Sequence, residues 1–239
     1  MVLRSSTWVS VRRIINLELP QWAECLWSKD ARHIALYGGR GAAKSRSIAT
    51  ALVLQAAQEH HRVLCGREVQ KSIKDSVKRL LDDEIARCGL SGLFTSTETE
   101  IRGPHDSLFI FTGLKGNAAG VKSIEGVTDF WGEEASTISQ DSLDTVIPTI
   151  RAPGSRLFWS WNPDLETDPI DKLFRAGSPP PRSIVRQVNY DENPWFPSEL
   201  REQMEFDRAR DIDKFNHIWL GQYRRNSEAR VFKNWRVEE

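Results

Sequence analysis

The chain has no charge of either sign in excess: 33 lysines and arginines balance 33 aspartates and glutamates over 239 residues. A global positive field is therefore absent, and any contact with nucleic acid has to come from local patches. Cysteine is scarce. Cys25, Cys65 and Cys88 lack metal-type spacing and cannot all pair, which excludes a disulfide framework and points to a reducing compartment. No apolar run approaches the ~18 residues of a membrane span. The opening MVLRSSTWVSVRR has neither the apolar stretch nor the cleavage site of a secretory signal. Repeats and low-complexity segments are also missing. What remains is an ordinary globular composition, 39% hydrophobic and 28% charged, enough for one large domain or one domain with a small appendage. Nine tryptophans are many for this length, but they are not evenly spaced enough to form a base-stacking track and suit core and interface anchors.

The most informative stretch is His33–Ser47, HIALYGGRGAAKSRS. An apolar strand, Ile34–Tyr37, runs into Gly38-Gly39-Arg40-Gly41-Ala42-Ala43-Lys44-Ser45, and a helix-patterned segment, Ile48–Ala57, follows. Strand, glycine-rich turn, Lys-Ser and helix is the context that a phosphate-binding loop requires. Glycines let backbone N–H groups curl around phosphate oxygens, and the helix points its positive end at the same anion. In that arrangement Lys44 reaches the β- and γ-phosphates and Ser45 offers a hydroxyl to Mg²⁺. The sixth position of the G-x-x-x-x-G-K-[ST] pattern is Ala43 instead of glycine. A Cβ there is tolerable if the backbone avoids positive φ.

Downstream, Gly126–Glu134 reads as a mostly apolar strand, interrupted by Thr128 and Asp129, that ends in two adjacent acids. After a phosphate loop, Glu133 suits the Mg²⁺ shell and Glu134 suits the polarisation of an attacking water. Arg156–Trp161 is a further strand, leading into Asn162-Pro163. A polar Ser160-x-Asn162-Pro163 at a strand end can sense the γ-phosphate and pass its loss to a neighbour, or can be a simple Asn-Pro turn. Gln21, 17 residues before Gly38, can read an adenine edge through its amide, or can be a surface residue at a helix start.

The rest of the chain supplies scaffolding. Arg62–Gly66 reads as a buried strand and Arg67–Cys88 as a long amphipathic helix, with Lys71, Lys74 and Lys78 along one face. Such a stripe can track a DNA backbone or simply be solvated. Thr99–Ile101 and Leu108–Phe111 read as strands joined by the turn Gly103-Pro-His-Asp106. Ser136–Ile147 reads as a helix with Ser136 as N-cap. Ser178-Pro-Pro-Pro-Arg182 is a linker. Beyond it lie a strand at Ser183–Val188 and helices at Ser198–Arg210 and Ile212–Tyr223. On these features alone, an ATP-driven translocase, a helicase-like P-loop ATPase and a docking module that binds nucleotide without turnover all remain open.

The order of the motifs narrows the choice. GGRGAAKS, CGREVQKSIKDSV, FTGL, KSIEG, WGEEA, IPTIRAP, SWNP, YDENPWFP and HIWLGQY follow one another. This series resembles the ATPase part of the large terminase subunit of tailed double-stranded DNA bacteriophages over roughly residues 30–225. The resemblance implies an α/β, RecA-like ASCE P-loop ATPase, with a mostly parallel sheet between helices and a small helical lid or linker subdomain. It divides the chain into an ATPase core at 1–180, a lid at 181–228 and, at 229–239, the start of a C-terminal nuclease domain that is expected to be missing, so that no DNA cutting is expected. It implies ATP and Mg²⁺ as cofactors. The implied partners are double-stranded DNA, the procapsid portal, a small terminase subunit and further copies in a ring of five. The implied location is the host cytoplasm, with transient docking on a procapsid and no membrane association. By position it makes Arg40, Lys44 and Ser45 part of the phosphate loop. Glu133 becomes the Mg²⁺-associated acid and Glu134 the catalytic glutamate, and Ser160, Asn162 and Pro163 become the coupling motif. Gln21 falls near an adenine-contacting position. Lys122, eleven residues before Glu133, falls near a trans-acting finger, a role for which Arg40 competes.

Overall fold

The computed structural model describes residues 17–69 and 74–225. Short apolar runs become the strands of one eight-stranded sheet: β1 (His33–Tyr37), β2 (Arg62–Arg67), β3 (Thr95–Ser96), β4 (Glu100–Arg102), β5 (Leu108–Gly113), β6 (Asp129–Glu133), β7 (Arg156–Trp161) and β8 (Ser183–Gln187). Their order is β3-β4-β5-β2-β6-β7-β1-β8. The six strands from β5 to β8 in that order run parallel, and β4 and β3 extend the sheet antiparallel. This is the expected mostly parallel sheet between helices.

Alternation along each strand divides the core between two faces. Ile34 and Leu36 of β1, Val63 and Cys65 of β2, Trp131 of β6 and Phe158 of β7 pack on one side, against α1 (Lys44–Gln58) and α2 (Arg79–Arg87). Ala35, Leu64, Phe130, Leu157, Trp159 and Trp161 pack on the other, with α4 (Gln140–Thr149) and α5 (Pro169–Phe174); α3 (Ala118–Lys122) contributes Val121. Both faces are covered, so the strands carry continuous apolar runs. Asp129, which breaks the apolar pattern of β6, is buried at the strand's first position. There it takes Arg156 at 2.7 Å and His61 at 2.5 Å.

The helical hairpin α6 (Ser198–Arg210) and α7 (Ile212–Leu220) encloses a small third cluster of Phe196, Met204, Phe215 and Trp219. The boundary expected at 180/181 falls inside the sheet, because β8 pairs parallel with β1 from Ser183↔His33 to Gln187↔Tyr37. The hairpin therefore branches off after β8, and residues 226–239 lie outside the described part.

Two helix expectations are corrected. The helix read from Arg67 does not include Arg67, which ends β2; among the described residues a π-turn at Lys74–Lys78 leads into α2. The ladder to β5 holds 62–67 extended, and Arg67 O accepts from Leu114 N. The helix read from Ser136 begins at Gln140. Its cap is Ser139, whose hydroxyl accepts from Ser142 N, while Ser136 sits in a 3₁₀ turn at Ala135–Thr137. Among the described residues no helix is long and apolar enough to cross a membrane.

Candidate active site

The carboxyl ends of β1, β7, β6 and β2 lie side by side, which is where an open parallel sheet presents its ligand crevice. The loop after β1 carries Gly38–Lys44. The register sets Ser160 of β7 beside both Leu36 of β1 and Glu133 of β6. A cavity of about 420 Å³ opens there, lined by Arg40, Lys44, Ser45, Glu133, Glu134, Thr137, Ser160, Asn162 and Pro163, among others. Eight of the residues singled out from sequence are thus brought together.

Lys44 is buried, and its Nζ donates to Gly38 O at 3.0 Å and Gly39 O at 2.7 Å. Burial pushes its pKa down to about 7, and the Glu133 carboxylate acts against that shift. Ser45 Oγ donates to Glu133 Oε1 at 3.2 Å. Burial raises the pKa of Glu133, opposed by Arg67, the Ser45 hydrogen bond and Lys44. Ala43 corrects the expectation placed on it: its φ is +62°, so an alanine occupies the left-handed region that glycine usually fills. That costs roughly 1–2 kcal/mol.

The two acids share a partner that sequence reading missed. Arg67, at the end of β2, places Nε 3.0 Å from Glu133 Oε2 and pairs through Nη2 with Glu134 Oε2. Glu133 Oε2 is buried and makes no well-angled hydrogen bond. Successive residues of a strand point to opposite faces, so adjacent acids reach one guanidinium only if the strand breaks between them. It does: Glu134 has φ +52° and ψ +47°. Ser160 Oγ accepts from the indole of buried Trp131 at 3.1 Å.

The segment between β8 and α6, together with α7, grips the phosphate loop. Asn189 Oδ1 accepts from Gly39 N at 2.8 Å, Ile218 O accepts from Arg40 N at 2.8 Å, and Asn193 Nδ2 donates to Gly41 O at 2.7 Å. A methyl group on Gly39 would lie 2.0 Å from Trp219 O, and one on Gly221 would lie 2.4 Å from Gly38 Cα. Asn193, Arg67 and Gly221 each fall within a stretch of the motif series, YDENPWFP, CGREVQKSIKDSV and HIWLGQY, but nothing in those stretches marks them as partners of this loop and its acids. A second cavity, about 600 Å³, lies on the other flank of the loop. Leu17–Pro20, Gly41, Ala43, Arg46, Asn193, Trp195, Pro197 and Leu200 are among its walls.

Gln21, Lys122 and Lys78 stand apart from the first cavity. Gln21 is exposed at the start of a 3₁₀ helix and lines neither cavity, although Leu17–Pro20 just before it line the second. Lys122 is exposed at the end of α3. Lys78 is bound to Asp82 at 2.8 Å and Ser96 at 2.7 Å; Lys71 lies outside the described residues, and only the backbone of Lys74 is described.

The oxygen set of Ser45 and Glu133 suits a hard cation held by few protein ligands, as Mg²⁺ is. Among the described residues no cluster of three or more His, Cys, Asp or Glu could build a carboxylate cage instead.

Residues 30–222 match the family model described as phage terminase large subunit. The large terminase subunit of Bacillus phage SPP1 is 28% identical over 228 residues, an alignment covering 88% of this chain and 54% of that one. The PBSX phage terminase large subunit of Bacillus subtilis is 27% identical over 140 residues, covering 58% of this chain and 32% of that one. The chain thus spans about half the length, or less, of these curated relatives. Among solved structures, the HK97 bacteriophage large terminase superposes with a TM-score of 0.67 at 11% identity, covering 87% of this chain and 51% of that one. The large terminase ATPase domain of Thermus phage P74-26 superposes at 0.61 and 12% identity, covering 82% of this chain and 90% of that one. With the motif order, the RecA-like sheet and the loop-and-acid cavity in agreement with a family model spanning most of its length, the chain belongs to the phage terminase large subunit family.

Proposed function

We propose that this chain is the ATP-hydrolysing motor domain of a phage packaging terminase, driving double-stranded DNA into a procapsid. The observation that carries the reading is the single cavity in which Lys44, Ser45, Glu133 and Glu134 converge, with both acids on Arg67. The loop amides after Arg40, together with Lys44, hold the phosphates by charge-assisted hydrogen bonds. Ser45 and Glu133 would hold Mg²⁺, which when bound neutralises charge on the β- and γ-phosphate oxygens. Glu134, with its side chain 59% exposed on the cavity wall, orients a water toward the γ-phosphorus and takes up its proton. The apolar second cavity takes the base between Leu19–Pro20 and Trp195–Pro197, with Gln21 as the next residue along. A large terminase from a thermophilic bacteriophage, similar in fold, has been crystallised with ADP and with ATP-gamma-S, which favours a nucleotide in this place.

Coupling runs through two contacts of the cavity. Ser160–Pro163 line it beside Glu133, and the loop amides on its other side bond to Asn189 and Ile218 of the lid. Loss of the γ-phosphate then alters the seating of α6 and α7 on the loop. Arg40 lines its own cavity and suits a role in cis, while Lys122, away from it, suits a neighbour's site in a ring. Lys71, Lys74 and Lys78 are the candidates for a grip on DNA, of which Lys78 is engaged by Asp82 and Ser96. Portal, small subunit and a five-membered ring complete the scheme.

The test is Glu134→Gln. Nucleotide affinity should stay within about twofold while turnover falls at least about 100-fold, the lower end of the range for loss of a positioned base. Turnover at the original rate would remove Glu134 from the mechanism. Phosphate release that DNA and procapsids fail to stimulate would favour a docking module over a motor.

A further inference from the structure

The break between Glu133 and Glu134 is held by named groups. The left-handed Glu134 is followed by the 3₁₀ turn Ala135–Thr137, and its carbonyl accepts twice from Thr137: from the backbone N–H at 3.0 Å and from Oγ1 at 2.9 Å. The next anchor is Glu68, buried and adjacent to Arg67. Its Oε2 accepts from Ser139 N at 3.2 Å, the amide at the head of α4. The bend at Glu134 is therefore tied at both ends, to β6 behind it and through Ser139 to β2 beside it. Glutamate gains nothing from a left-handed backbone, and a strained residue of this kind persists only where its surroundings over-determine it.

We infer that Thr137 and Glu68 are positioning residues for Glu134: they hold its backbone left-handed, and the bend turns its carboxylate onto the side of the sheet where Glu133 and the phosphate loop stand. The inference rests on the reading of Glu134 as the group that orients water. Without the Thr137 hydroxyl, the carbonyl of Glu134 keeps one hydrogen bond of two. Without Glu68, the Ser139 amide loses its acceptor and the turn its anchor to β2. Either loss lets Glu134 relax toward an extended backbone, which carries its carboxylate to the opposite face.

The experiment compares Thr137→Val, Thr137→Ser, Glu68→Ala and Glu68→Gln in the 239-residue chain, with Glu134→Gln as reference. Thr137→Val and Glu68→Ala should lower kcat at least about tenfold with KM for ATP within about twofold. Thr137→Ser keeps the hydroxyl and Glu68→Gln keeps an acceptor oxygen, so both should restore kcat. A crystal structure of Thr137→Val should show Glu134 with negative φ and its carboxylate off Arg67. Thr137 is exposed, so that variant folds even if Glu68→Ala does not. The inference is overturned if Thr137→Val retains both its kcat and the positive φ, or if Thr137→Ser is as impaired as Thr137→Val. If Glu134→Gln itself turns over normally, the water-orienting reading fails first; if Glu134→Gln is inactive while Thr137→Val and Glu68→Ala are not, only the positioning inference fails.

Discussion

Nucleotide binding should be accompanied by proton uptake at Lys44. Burial holds its pKa at about 7, against an ordinary value of 10.5. The amine rests on two carbonyl oxygens, Gly38 O and Gly39 O. A polyphosphate in the loop adds negative charge within hydrogen-bond reach and returns the amine to its ammonium form. At pH 8 about nine in ten amines would be neutral before binding, and recharging one costs about 1.4 kcal/mol, one pK unit. Affinity should then fall about fivefold between pH 7 and 8 and about tenfold per unit above that. The assay is calorimetric titration with ADP in EDTA, in buffers of different ionisation enthalpy, from pH 7.5 upward, where phosphate groups are ionised. Uptake should approach about 0.9 proton at pH 8. Affinity flat from pH 7.5 to 9 with no proton taken up would refute the reasoning. The same group affects stability in the opposite sense. With its folded pKa lowered, the unfolded chain binds more protons between about 7 and 10.5, so this group makes the nucleotide-free protein more stable as pH rises through that window.

Three further outcomes follow from the geometry. Ala43→Gly should relieve the left-handed strain while adding freedom to the unfolded chain, for a net stabilisation of up to about 1 kcal/mol in denaturant melts; clear destabilisation would mean that the alanine is not strained. Arg67→Met leaves two carboxylates without their shared cation and should cost about 3–5 kcal/mol in EDTA, with part of the loss regained when Mg²⁺ and ADP are added; an equal melting temperature with and without them would count against Glu133 as the metal acid. Gly221→Ala puts a methyl group against Gly38 Cα at a residue with φ +63°, and should lower both melting temperature and ADP affinity; unchanged ADP binding would uncouple the hairpin from the loop.

The parts of the site that could be read from sequence are those written in one short stretch. Gly38–Ser45 lies between a strand and a helix, Glu133-Glu134 ends an apolar run, and Ser198–Arg210 shows helical periodicity; each emerges where its pattern says. Arg67 was misread because its stretch is compatible with a helix, and only pairing with Leu108–Gly113, more than forty residues on, keeps it extended. The left-handed turn at Glu134 carries no glycine or asparagine to announce it. Ala43 misled in the same way, since the loop's closure onto α1 sets its φ against the residue's own preference. The prolines at 179–181 suggest the boundary expected at 180/181, because prolines mark a break in the chain. Here they mark only the crossover that returns β8 to the sheet edge.

The contact of Gly38 and Gly39 with Trp219–Gly221 has a mechanical meaning. Two main chains meet with no side chain between them, so the junction has no cushion that could absorb a shift by changing rotamer. On the proposed reading, a reshaping of the loop as its guest arrives or leaves would be passed to the last turn of α7, with the thirteen-residue α6 packed behind it as a lever arm. Stiffness at this joint, more than the size of any single hydrogen bond, would set how much of the chemical step reaches whatever the hairpin pushes against.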